Sequence, residues 1–64
     1  EGPMLLRKVD KFLRRHRMAP TTFGRLAARD PRFVLDLRLG REPRGRTEQR
    51  VTRWMKDYEE PLYV

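Results

Sequence analysis

Residues 20–46 read PTTFGRLAARDPRFVLDLRLGREPRGR, and two short apolar patterns in this segment predict two short helices. Phe23, Leu26 and Ala27 have the spacing of one inner helical face, which predicts a helix over residues 20–29. Proline suits its first position, because the N–H that proline lacks would be unpaired there in any case.

Asp30 and Pro31, which follow directly, are typical of the start of a new helix. An aspartate suits the N-cap of a helix and a proline suits its first turn, so we expect the next helix to span 31–39. Gly40 is placed to end it as a C-terminal cap. The apolar residues that would pack its inner face are Phe33, Val34 and Leu37.

An amphipathic pattern precedes this pair and predicts a helix over residues 4–16. Its arginines and lysines fall mostly off the apolar stripe, which favours a solvated outer face. The same pattern is typical of helices that lie on membranes, but packing into a core explains the stripe here. The stripe consists of Leu5, Leu6, Val9, Phe12 and Leu13.

A fourth helix is expected after the loop 41–46, with Thr47 as its N-cap and Glu48 near its positive end. We expect it to end at Glu59-Glu60, before Pro61. Its predicted core face consists of Val51, Trp54, Met55 and Tyr58. The sequence therefore predicts an all-α fold, a compact bundle of four short helices that contains a helix-turn-helix.

A chain of 64 residues holds one domain at most, and such a domain buries little of its surface. We expect residues 1–3 to be left over from expression, 4–58 to form the domain and 59–64 to be a tail. Cysteine is absent, so disulfides and thiolate metal sites are excluded. No run of about 18 apolar residues is present, so we expect no membrane span.

The charge is strongly basic and unevenly distributed. The net charge is +7, and thirteen of the sixteen cations are arginines. Residues 4–18 carry a net charge of +5, residues 19–46 carry +4 and residues 47–64 carry −1. This excess suits a polyanionic partner, and arginine is suited to bidentate contacts with phosphate and guanine.

The spacing around Gly24 resembles the helix-turn-helix of the lambda-repressor-like family of DNA-binding domains. In this chain Val34 and Leu37 follow Gly24 by ten and thirteen positions, and Phe23 and Ala27 flank it. The family has a small residue where its two helices cross and apolar residues at these distances. The resemblance implies that the third helix enters the major groove of double-stranded DNA.

The resemblance also implies that the third helix presents Arg32, Leu35 and Asp36 to the bases. Arg32 would form a bidentate pair with guanine. Asp36 has two roles left open: it would accept a hydrogen bond from a cytosine amino group, or hold Arg32 in a salt bridge.

Contacts with the DNA backbone are expected from both ends of this helix pair and from the following loop. Pro43-Arg44-Gly45-Arg46 resembles the core of the AT-hook, which lies in a narrow minor groove. Binding of these arginines to phosphates at the groove edge is the alternative. The expected backbone or minor-groove residues are Thr21, Thr22, Arg38, Arg41, Arg44, Gly45 and Arg46.

Catalysis needs a constellation that this sequence does not show, so we expect no enzyme and no cofactor or metal. His16, the single histidine, extends the apolar stripe of the first helix, which favours a role in packing or at the helix end.

We therefore expect a small bacterial or phage transcriptional regulator in the cytoplasm, associated with the nucleoid. One module contacts a short half-site, so specific binding would use a homodimer, tandem sites or a larger parent protein. Leu62-Tyr63-Val64 and the fourth helix are the candidates for self-association. Two alternatives stay open: an antitoxin-like or polymerase-binding adaptor with a protein partner, and a nucleoid or RNA binder without sequence preference.

Overall fold

The protein is described by a computed structural model that covers residues 3–60 of the chain. Within that range it has four helices and no strand, so the prediction of a small all-α bundle is confirmed. The predicted tail at Leu62-Tyr63-Val64 lies outside the described residues. In chain order the elements are α1 (Pro3–His16), α2 (Pro20–Phe23) with a π-helical turn (Gly24–Ala28), α3 (Phe33–Arg38) and α4 (Gly45–Glu59).

The apolar stripe of α1 forms one side of the core, as predicted. Val9 is fully buried, and Leu6 is half-buried against the same cluster. The helix begins at Pro3, one residue before the predicted start. The other buried residues of α1 are Leu5, Phe12 and Leu13.

An aromatic cluster joins α1 to the second and fourth helices. The ring of Phe12 packs edge-on against Phe23 at 5.4 Å and against Tyr58 at 5.3 Å between centroids, and Trp54 lies at 5.7 Å. Such edge-to-face pairs add to the stabilisation that burial alone supplies. Tyr58, predicted to lie in the core, keeps 47% of its surface exposed because it covers the outer edge of this cluster.

His16 and Glu59 connect the end of α1 to the end of α4. His16 Nε2 lies 2.8 Å from Glu59 Oε2, and Arg15 Nη1 lies 3.6 Å from the same oxygen. The His16 ring also packs on Phe12, with 4.4 Å between centroids. The side chain therefore has both the packing role and the helix-end role that the sequence favours. Glu59 is the last residue of α4.

The second helix changes its hydrogen bonding after its first turn. α2 continues into the π-helical turn, in which i→i+5 bonds replace the i→i+4 bonds of an α-helix. More residues per turn rotate Leu26 away from the core, while Phe23 and Ala27 stay buried. The prediction that Leu26 faces inward is therefore wrong: 54% of its surface is exposed.

The turn after this helix packs directly on Gly24. The N–H groups of Arg29 and Asp30 both donate to the Gly24 carbonyl, the second at 3.0 Å. A Cβ on Gly24 would overlap the Asp30 carbonyl oxygen and would lie 3.3 Å from the carbonyl carbon of Pro31. Two main chains therefore touch here, as we expected of the small residue at the crossing.

Asp30 closes this turn and does not cap α3 directly. Its Oδ1 accepts a hydrogen bond from the Arg32 N–H at 3.0 Å, and its carbonyl accepts one from the Phe33 N–H at 3.0 Å. The prediction that Pro31 is the first helical residue is wrong, because α3 begins at Phe33. The Asp30–Pro31 main chain is held in a turn by its contact with Gly24, so the helix starts after it.

Gly40 ends the third helix as predicted. Its φ of 95° lies in the left-handed region, and its N–H donates to the Leu37 carbonyl at 3.0 Å. The Arg41 N–H donates to the Asp36 carbonyl at 3.0 Å, which completes the hydrogen bonds of a Schellman motif. The chain can then turn back toward α4.

The fourth helix starts three residues earlier than the sequence predicts. Arg44 has the extended conformation of an N-cap residue, and Gly45 is the first helical residue. Thr47 lies inside the helix, where its half-buried side chain lines a cleft against α3. The prediction that Thr47 caps the helix is therefore wrong. The end of α4 at Glu59 agrees with the prediction.

Arg29 has a positive φ of 57°, a conformation that glycine adopts without strain. We expect Arg29→Gly to raise the free energy of unfolding by about 1 kcal/mol. Arg25→Gly is the control, because it removes the same charge from the helical turn just before and should lower stability by about 1 kcal/mol. Urea denaturation of both variants checks this, and a loss of stability in Arg29→Gly would contradict it.

Candidate nucleic-acid interface

The two sides of α3 differ sharply in exposure. Phe33, Val34 and Leu37 are buried, in agreement with the prediction. The opposite side carries Leu35, which is 48% exposed, and leads to Leu39, which is 68% exposed. The inner side holds α3 in the core, and the outer side is open to a partner.

Arg32 lies directly before α3, at the end of the turn. Its main chain is fixed by the bond from its N–H to Asp30 Oδ1, and its side chain is exposed. Within residues 3–60 it forms no ion pair with Asp36, so the salt bridge that we left open for Asp36 is not formed. The guanidinium of Arg32 is therefore available to a partner.

Asp36 lies at the side of α3 and not at its outermost point. It is half-buried and lines a cleft between α3, the following loop and the start of α4. The loop side of this cleft carries Arg41 and Arg44, and Thr47 closes it from α4. One carboxylate and two arginines predicted as site residues are thus brought to the same cleft.

Arg38 is held against α1. Its Nη2 donates to Asp10 Oδ1 at 3.0 Å, and about half of its side chain stays exposed. This ion pair joins residues 28 positions apart and fixes α3 on α1. Arg38 was predicted as a phosphate contact, and the structure gives it a structural partner as well.

The segment Arg44-Gly45-Arg46 does not have the extended form of a minor-groove hook. Only Arg44 is extended, with φ −65° and ψ 155°, while Gly45 and Arg46 begin α4. Both were predicted as loop, and that boundary is wrong. Insertion of the three residues into a minor groove would require the first turn of α4 to unwind.

The start of the second helix presents its two threonines to solvent. Thr21 and Thr22 are both exposed and follow Pro20. The N-cap residue Ala19 supplies no side-chain hydrogen bond to the helix. Both threonines are therefore accessible to solvent.

Sequence reasoning did not single out Arg25 and Arg29, which lie in the π-helical turn and directly after it. Both are exposed, and neither takes part in an ion pair within the described part of the chain. The sequence could have pointed to Arg29 through the turn in which it lies. Ala28-Arg29-Asp30 stands there, where lambda-repressor-like domains often have a glycine. An arginine in a left-handed turn conformation places a charge where glycine would be less strained.

Residues 3–60 hold neither a metal-binding cluster nor a helix that could span a membrane. No group of three or more His, Asp or Glu side chains is arranged there to hold a metal ion. No helix in that range is both long enough and apolar enough to cross a bilayer.

A scan of the chain against models of protein families finds no match. Searches among curated proteins and among solved structures find none either. The functional assignment therefore rests on the residues and geometry described above.

Proposed function

We propose that this protein is a DNA-binding domain whose third helix enters the major groove. The observation that carries the proposal is that the outer side of α3 and the turn before it are exposed. The main-chain contact at Gly24 fixes the turn, α3 buries its inner side, and Arg32 stands exposed and without an ion pair among the described residues. The helix-turn-helix resemblance of the sequence supports the same conclusion.

Base recognition is assigned to the outer side of α3. Arg32 would form the bidentate pair with guanine O6 and N7, and Leu35 would contact a thymine methyl group. Asp36 would accept a hydrogen bond from cytosine from its position beside the cleft. These three residues lie within five positions of the chain, so together they would read a short half-site.

Affinity is assigned to phosphate contacts around that helix. Arg41, Arg44 and Arg46 follow α3, and Thr21 and Thr22 lie at the start of the second helix. Neutralisation of phosphates releases counterions, so binding should weaken steeply as salt increases. The dependence of the DNA affinity on salt concentration can therefore be measured separately from any preference for a base sequence.

The test is a selection of randomised duplexes at about physiological salt, repeated with Arg32→Ala. We expect an enriched motif for the unchanged protein and, for Arg32→Ala, a loss of about 1–3 kcal/mol of discrimination at one base pair. Arg38→Ala is the matched control, because it removes the same charge from the same helix but from a residue paired with Asp10. Arg38→Ala should weaken binding to all duplexes by the same factor.

Two outcomes would contradict the proposal. One is equal affinity for all duplexes by the unchanged protein, which would favour a nucleoid or RNA binder. The other is an enriched motif that neither Arg32→Ala nor Leu35→Ala alters, which would remove α3 from the reading surface.

A second candidate function is supported by the exposed leucines of α3. Leu35 and Leu39 lie one turn apart on the outer side, which is also where an adaptor would hold a protein partner. The same selection separates the two functions. If the protein binds DNA, the double variant Leu35→Gln, Leu39→Gln should select the same motif as the unchanged protein and lose only the preference for thymine at one position. If the protein is an adaptor, neither the unchanged protein nor the variant should select a motif.

A further inference from the structure

The three lysines of the chain lie together where α1 faces α4. Lys8 and Lys11 of α1 and Lys56 of α4 line one open groove, with Arg15 at its far end. The cations proposed to contact DNA around α3 are all arginines. Lysine is a compact point charge, suited to phosphate contacts that ignore base sequence.

Most of the charge in this groove is not neutralised. Glu59 also lines it, but its carboxylate is shared by Arg15 and His16. Among residues 3–60 none of the three lysines forms an ion pair. A neighbouring groove is also bordered by Lys8 and Lys56, but it contains acidic side chains. Those acidic residues are Glu48, Asp57 and Glu60. The basic surface therefore continues as a strip along α1, formed by Lys8, Lys11 and Arg15.

The strip has a length that matches a nucleic-acid backbone. Lys8, Lys11 and Arg15 follow one another at intervals of three and four residues on one side of α1. At a rise of 1.5 Å per residue they span about 10 Å, which corresponds to about three base-pair steps of duplex DNA.

The strip lies on the flank of α1 away from the ion pair that α1 makes with α3. Asp10 receives Arg38 from α3, and on a helix of 3.6 residues per turn Lys8 points away from the direction of Asp10. The lysine groove has no residue of α3 in its lining and is therefore separate from the surface around α3. A second segment of DNA can reach it.

We propose that the groove of Lys8, Lys11 and Lys56 binds the phosphate backbone of a second duplex without sequence preference. The protein then bridges two DNA segments, which rests on the proposed function of α3. The apolar floor formed by Phe12 and Met55 is buried within the protein, so the groove offers no exposed anchor to a protein partner. Lysine is also depleted in protein–protein interfaces, which favours DNA as the occupant.

The test measures capture of a fluorescent duplex by a second, immobilised duplex in the presence of the protein. We expect the unchanged protein to capture it. Lys8→Gln with Lys11→Gln and Lys56→Gln should lower capture about 10-fold or more, while binding to a single duplex changes about 3-fold or less.

The matched control is Arg7→Gln with Arg14→Gln and Arg50→Gln. It removes three charges from the same two helices but leaves the lysine groove intact, so capture should fall about 3-fold or less. Equal losses in both triple variants would assign capture to overall charge and overturn the proposal. Full capture by the lysine variant would overturn it too, and would indicate bridging by a dimer.

Two further outcomes distinguish failure of the lysine-groove proposal from failure of the proposed function of α3. Failure of the unchanged protein to bind a single duplex would overturn the proposed function of α3 itself. Displacement of the second duplex by polyglutamate as effectively as by unlabelled DNA, at equal charge, would assign the groove to an acidic protein surface instead.

Discussion

Gly24→Ala is expected to lower the free energy of unfolding by about 3 kcal/mol or more. The added methyl group would overlap the Asp30 carbonyl oxygen, and a main-chain atom cannot move aside as the end of a flexible side chain can. A domain of 64 residues has a total stability of roughly 3–10 kcal/mol. A loss of about 3 kcal/mol is therefore roughly a third or more of the total, and we expect a large fall in the denaturation midpoint.

Gly45→Ala is the control for this change. Gly45 has no heavy atom near the position of an added Cβ, and it lies in the first turn of α4. Alanine there should be neutral or raise stability by up to about 1 kcal/mol. Urea denaturation followed by Trp54 fluorescence measures both variants. A Gly24→Ala protein as stable as the unchanged protein would show that the turn can lift off the second helix.

Phe23→Ala is expected to cost about 3–5 kcal/mol. The Phe23 ring is fully buried and packs edge-on against Phe12 and Trp54, with 5.4 and 5.5 Å between centroids. Its loss would leave a cavity between α1, the second helix and α4. The aromatic contacts that join these three helices would be lost together.

Leu26→Ala is the matched control, since the apolar spacing of the sequence places Leu26 and Phe23 on the same inner face. In the structure Leu26 is 54% exposed, so its truncation should change stability by about 0.5 kcal/mol or less. Circular dichroism during thermal unfolding of both variants gives the comparison. Equal losses for the two would mean that the second helix is a regular α-helix.

The helices could be predicted because their cores follow the 3.6-residue period. Val9 in α1, Val34 in α3 and Val51 in α4 are all fully buried, and each was placed in the core from its spacing alone. The position of Gly40 was predictable for a similar reason, because a left-handed residue after a helix favours glycine.

The π-helical turn could not be predicted from that period. It forms where the main chain of Asp30 packs on Gly24, and this contact depends on the tertiary fold. The start of α4 escaped prediction for a related reason. Thr47 is a good capping residue by propensity, but its side chain lines the cleft against α3, and the helix extends back to Gly45.

The candidate site was predictable only in part. The outer position of Arg32 and Leu35 follows from the burial of their neighbours on α3. The pairing of Arg38 with Asp10 joins separate helices, and the proximity of Lys56 to Lys8 and Lys11 does so too. Such pairings depend on how the helices pack, which a single sequence does not specify.

The contact of Gly24 with Asp30 has a consequence for evolution. The spacing between the second helix and α3 is set by main chain against main chain, and the inner residues of α3 hold it in place. Arg32, Leu35 and Leu39 take no part in that support. Mutations at these positions can therefore accumulate with little loss of stability, so gene duplication would allow relatives with the same scaffold to acquire different targets.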